Sequence, residues 1–140
     1  MKKINRFEDI ESWQRARNLS GKIYTITSSK NFSVDFGLQN QMRRAAVSVM
    51  SNIAEGFERG GNKEFRQFLS MAKGSTAELR SQLYVALDAG YIDDDVFESV
   101  YNLANETGRL IGGFIRYLKK SDHGGFKYTQ ANRHAANAQL

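Results

Sequence analysis

Ser48, Asn52 and Glu55, in the run "RRAAVSVMSNIAEGFERGG", are spaced i, i+4, i+7. On a helix that spacing puts a hydroxyl, an amide and a carboxylate on one face, beside an apolar stripe of Ala45, Ala46, Val49, Ile53 and Phe57. Such a trio can hold a ligand, or it can join helices through hydrogen bonds. A second interruption, "MAKGSTAELR", places Ser75 and Glu78 one turn apart, with Gly74 in the middle of the same helix. A mid-helix glycine costs about 1 kcal/mol relative to alanine, so close approach of a neighbouring helix is expected there.

Catalysis needs more than these residues supply. The only histidines, His123 and His134, fall in the C-terminal tail, so the helical body has no imidazole base and no Ser-His-Asp arrangement. A carboxylate-bridged di-metal site needs two Glu-x-x-His motifs and is excluded on the same ground. In "GFERGGNK" the lysine does not follow the glycine directly and no strand precedes it, so this is a helix end rather than a phosphate loop. The sequence reads as non-enzymatic, with no metal and no cofactor.

Charge supplies the other clue. The chain of 140 residues has a formal net charge of +5, which biases its partners toward polyanions. Arg15, Arg17 and Lys22 on the first helix, with Arg43 and Arg44 on the second, are the candidate contacts to nucleic-acid phosphates. There is no cysteine, which suits a reducing compartment. The N-terminal "MKKINRFEDIESWQ" lacks the apolar run of a signal peptide, and no stretch reaches the roughly 18 apolar residues of a membrane span. A soluble, cytoplasmic protein is expected.

These residues must be positioned by helices. There is no proline, and apolar residues recur every three or four positions in four segments. The spacing predicts helices over 8–27, 34–58, 62–89 and 93–120, with Ser33, Asn62 and Asp93 as N-caps and Gly60 or Gly61 and Gly90 as terminators. Acids at the start of the last helix (Asp93, Asp94, Asp95, Glu98) and bases at its end (Arg116, Lys119, Lys120) suit its dipole. Gly108, Gly112 and Gly113 mark close helix approaches. Similar lengths and short connections predict an all-α, antiparallel up-down-up-down four-helix bundle over 1–120. A polar, partly disordered tail is expected over 121–140.

The motifs "LQNQMRRAAVSVMSNIAEGFERG", "FRQFLSMAKGSTAELRSQL" and "ALDAGYI" resemble the bacterial four-helix-bundle family also called the 23S rRNA intervening-sequence protein family. The family's Gln-x-x-Arg-Arg-Ala-x-Ser run falls on Gln41, Arg43, Arg44, Ala45, Ala46 and Ser48, and its Asn-Ile-Ala-Glu-Gly on Asn52 to Gly56. Its Ala-x-Gly-Ser-x-x-Glu-Leu falls on Ala72, Gly74, Ser75, Glu78 and Leu79. In the first helix "ESWQRARNLSGKIY" also fits, and the likeness spans Phe7 to about Leu118. Met50 departs from it, since many members have proline there. The resemblance implies no catalytic activity. It also implies kinship with accessory variability determinant proteins of diversity-generating retroelements, which form homopentamers and bind nucleic acid.

Two expectations follow for the polar residues and the apolar surface. Ser48, Asn52, Glu55, Ser75 and Glu78 form a structural network, with Arg43 or Arg44 supplying charge, because unpaired buried polar groups cost about 1–3 kcal/mol each. Phe32, Phe36, Phe65, Phe68, Tyr84, Phe97 and Tyr101 widen the apolar stripes beyond one seam, predicting a homo-oligomer. The number five, and with it a ring, comes from the resemblance alone. Two functions fit: a ring-forming RNA- or DNA-binding accessory module, or a protein-interaction scaffold whose charge serves solubility.

Overall fold

The computed structural model describes residues 3–124, with side chains to residue 121, and every regular element among them is helical. A 3-10 turn, Phe7–Asp9, precedes α1 (Glu11–Thr27), the short α2 (Lys30–Ser33), α3 (Phe36–Arg59), α4 (Asn62–Asp88) and α5 (Asp94–Gly124). The tail expected over 121–140 lies largely outside the described residues. None of the described helices is long and apolar enough to cross a membrane.

Helix ends are where local chemistry departs from the sequence reading. Residues 8–27 are not one helix, because Ile10 is extended (φ −76°, ψ 122°) and separates the turn from α1. The Asp9 carboxylate accepts from the Asn5 and Arg6 backbone N–H groups, which fixes that turn. Ser33 does not cap α3. It ends α2, and Asp35 caps α3 by accepting from the Leu38 N–H at 3.0 Å. Gly61 is the N-cap residue of α4, and Asn62 instead donates its side-chain amide to the Leu118 carbonyl of α5. Asp93 does cap α5, accepting from the Val96 N–H at 2.8 Å. Gly60 and Gly90 both take φ 78°, the left-handed conformation that stops a helix with little strain for glycine.

The four long helices pack in a closed cycle, α1 on α3, α3 on α4, α4 on α5 and α5 back on α1. Residue pairing fixes their directions. Across α3/α4 Ser48 meets Ser75 while Gly56 meets Phe68, and across α4/α5 Asn62 meets Leu118 while Thr76 meets Gly108, so sequence numbers run oppositely across both seams. Between them, Leu19, Ile23, Met42, Val49, Ile53, Leu69, Leu79, Leu83, Ile111 and Leu118 are buried at helical spacing. Fully burying each such side chain contributes about 1.5–3 kcal/mol before entropy is counted. Thr76 and Thr107 tolerate burial because each donates its hydroxyl to a carbonyl of its own helix.

Several residues expected to widen the apolar stripes are core residues. Phe32 and Phe65 are buried, and the Phe65 ring meets both Phe57 and Phe114 edge to face. Phe36 is 74% exposed, because α3 begins there and the residue stands at its open end. Gly74 is also a correction: a Cβ there would meet nothing within 4 Å, so no neighbouring helix requires glycine. Close approach occurs elsewhere. A Cβ on Gly56 would lie 2.6 Å from Phe68 Cβ, and one on Gly108 would lie 2.8 Å from Thr76 Oγ1.

Candidate nucleic-acid interface

The polar stripe is resolved into a short directional chain. Asn52 donates its amide to Ser48 Oγ at 3.0 Å and to the Ser48 carbonyl at 2.9 Å. Ser48 Oγ and Ser75 Oγ are 3.0 Å apart, and Ser75 Oγ donates to the Met71 carbonyl at 3.3 Å. Either hydroxyl can donate across the Ser48–Ser75 contact, and the chain stitches α3 to α4.

Glu55 and Glu78 stand outside this chain. Glu55 is exposed and pairs with Arg59 at 3.2 Å, one turn along its own helix. Glu78 is exposed and accepts from Gln82 at 3.3 Å. A charged carboxylate is better solvated at the surface than in a seam lined by serines, and a cation one turn away suits it. Arg43 and Arg44 supply no charge to the network either.

Each predicted cation has a distinct setting. Arg43 donates from Nε to Thr27 Oγ1 at 2.9 Å and from Nη2 to Ser28 Oγ at 3.0 Å, while its guanidinium carbon lies 4.6 Å from the Tyr24 ring centre. It therefore fastens α3 to the C-terminal end of α1, where the helix dipole favours a cation. Arg15 ties α1 to α5 through Glu106 at 2.6 Å and also pairs with Glu11 at 3.9 Å. The Arg17 guanidinium lies 6.0 Å from the Trp13 ring centre. Lys22 and Arg44 are exposed. None of these five cations lines the basic groove formed by α4 and α5.

In that groove, of about 370 Å³, Lys73, Thr76 and Arg80 on α4 face Asn105, Gly108, Arg109, Gly112 and Arg116 on α5. Among the described residues no carboxylate lines it. Among the described residues none of its four cations forms an ion pair. Its depth comes from glycine. At Gly108 the bare backbone lies against Thr76, and above Gly112 two cations converge. Arg116 Nη1 lies 3.5 Å and Lys73 Nζ 3.6 Å from the point a Gly112 methyl would occupy. Arg80 Nε is buried without a hydrogen-bond partner among the described residues. Like charges held together without a direct ion pair raise the potential of the groove, and an anion entering it relieves that repulsion.

A larger cleft of about 730 Å³ lies between the N-terminal segment and α5, lined by Asp9, Glu11 and Glu106, and Arg109 stands between it and the basic groove, lining both. Those carboxylates make it unsuitable for a polyanion. The described residues contain no cluster of three or more His, Cys, Asp or Glu able to hold a metal.

The α4/α5 groove was not among the sites read from sequence, although its spacing was visible. Lys73 and Arg80 are i, i+7, and so are Arg109 and Arg116. Two such pairs on adjacent antiparallel helices make a four-cornered cationic patch. Only the helix pairing was needed to see it.

Comparison with known proteins agrees with this architecture. Residues 8–113 match the family model described as 23S rRNA-intervening sequence protein. Among solved structures, the chain is similar to a protein of unknown function from the S23 ribosomal protein family of Bacteroides thetaiotaomicron. That likeness has a TM-score of 0.69 at 20% identity and covers 74% of this chain and 97% of that one, which speaks to the fold. No curated protein matches the chain.

Proposed function

The chain belongs to the 23S rRNA-intervening sequence protein family, and we propose that it is a non-enzymatic nucleic-acid-binding module that grips phosphates in the α4/α5 groove. The observation that carries this reading is the set of four cations, Lys73, Arg80, Arg109 and Arg116, in a groove that no carboxylate lines among the described residues. Arginine presents a planar fork to phosphate oxygens and lysine a point charge, so the set accepts a phosphate backbone at several points. The groove is formed by backbone and long side chains rather than by a helix inserted into a duplex groove. Its readout is therefore of charge and not of sequence.

Self-assembly belongs to the same reading. Val34 and Phe36 are exposed at the start of α3 and Val47 and Met71 on outer faces, apolar surface of the kind that marks an interface between copies. A closed ring, pentameric as the family resemblance implies, would repeat the groove once per subunit and multiply its charge.

A gel shift with RNA and DNA over a range of salt concentrations tests the binding. Affinity is expected to fall linearly on a log–log plot, with a slope set by the phosphates neutralised. Binding absent at low salt would remove the reading and leave a protein-interaction scaffold.

A further inference from the structure

The basic groove does not end at Arg80. One turn further along α4, Tyr84 is 50% exposed, and across the seam Phe97 and Tyr101 on α5 complete a ring cluster. The Tyr84 ring centre is 4.8 Å from Phe97 and 5.8 Å from Tyr101, and Phe97 stacks on Tyr101 at 5.3 Å. Arg80 joins this cluster to the cations, its guanidinium carbon lying 5.9 Å from the Tyr101 ring centre. Along α5, Tyr101, Asn105, Arg109, Gly112 and Arg116 recur at three- and four-residue spacing, a strip of about 22 Å at 1.5 Å per residue.

The geometry points to single-stranded nucleic acid as the ligand of this strip, its phosphates on Lys73, Arg80, Arg109 and Arg116 and an unpaired base stacked on Tyr84. This inference rests on the proposed nucleic-acid reading and narrows it. The warrant is the juxtaposition. A duplex hides its base faces in the stack and offers only phosphate and groove edges, leaving a half-exposed tyrosine at the end of a cationic strip without a partner. A single strand presents a π-face and a phosphate in each nucleotide, and binding surfaces that combine aromatic platforms with basic grooves suit it. Charge sets the polarity. Asp94 and Asp95 lie at the start of α5, before Phe97, and Glu98 lies between Phe97 and Tyr101 in sequence, so phosphates are favoured on the Arg80 side and a base at Tyr84.

The test compares a short single-stranded RNA with a duplex of the same sequence, at one salt concentration, on the full chain and two Tyr84 variants. Tyr84→Ala removes the ring, and Tyr84→Leu keeps apolar bulk without a π-face, so folding and stacking are separated. Both variants are expected to weaken single-strand binding by about 5-fold or more, the effect of losing one stacked base, and to leave duplex affinity unchanged. If both variants bind the single strand as the parent does, while Lys73→Glu with Arg109→Glu abolishes binding, the stacking inference falls and the groove reading stands. If Tyr84→Ala instead lowers the particle mass seen by light scattering, the ring covers a second copy of the chain and the inference also falls. If the parent binds neither RNA, the proposed function falls, and this inference with it.

Discussion

Thr76 Oγ1 and Gly108 touch across the α4/α5 seam so closely that a methyl group on the glycine would lie 2.8 Å from the hydroxyl. Thr76 cannot readily retreat, because it is buried and its hydroxyl donates to the Lys73 carbonyl at 2.7 Å. This contact forms the floor of the basic groove and sets the separation of its two walls.

Gly108→Ala is expected to destabilise the protein by about 1 kcal/mol. Overpacking at a tight contact costs about 1–3 kcal/mol and outweighs the gain in helix propensity. Gly74→Ala should have the opposite sign, a gain of about 1 kcal/mol, because a methyl there meets nothing within 4 Å. Urea denaturation of the two variants checks the pair.

Asn52→Ala is expected to lose about 1–2 kcal/mol, since it removes the donor to Ser48 in a half-buried seam. Glu55→Ala should stay within about 0.5 kcal/mol of the parent, as its ion-pair partner among the described residues is exposed Arg59. Equal losses in thermal denaturation would place Glu55 back in the network.

Arg43→Ala should lower stability by about 1–2 kcal/mol through the lost bonds to Thr27 and Ser28 and the contact with Tyr24. Arg44→Ala, at an exposed neighbouring position, should melt as the parent does. Differential scanning calorimetry separates them.

Alkaline pH probes the α3 cap. The Tyr91 hydroxyl donates to Asp35 Oδ2 at 3.1 Å. This hydrogen bond, then burial, then the carboxylate charge, raise the tyrosine pKa above its ordinary 10.0. The folded state thus favours the protonated phenol. The stability this contributes is fully present below pH 10.0 and is lost as pH rises through the raised value. Tyr91→Phe should abolish that part of the alkaline decline in a pH series of melting temperatures.

Much of the helical architecture was legible because apolar period survives in the fold: Val49, Ile53, Leu69, Leu79 and Leu83 are all buried where the spacing put them. Helix ends were less legible. Ser33 and Asp35 are both competent caps, and choosing between them depends on the α2 turn, which Phe32 anchors in the core. The site was legible in residue type but not in membership. Arg15 looks free in sequence, yet its closest partner, Glu106, is 91 residues away. Lys73, Arg80, Arg109 and Arg116 look like ordinary surface charges until α4 and α5 are laid side by side. Gly74 shows the converse, a local anomaly that tertiary packing does not explain.

The most direct measurement is the salt dependence of RNA affinity for the parent chain, for Lys73→Ala with Arg109→Ala, and for Arg15→Ala with Arg17→Ala. Removing two phosphate contacts should weaken binding and flatten the log–log slope by roughly 0.7 per contact for a single strand. The Lys73/Arg109 variant is expected to show that flattening, and the Arg15/Arg17 variant to keep the parent slope. A flattened slope in the second variant with a parent-like slope in the first would contradict the assignment of the α4/α5 groove as the phosphate-binding surface.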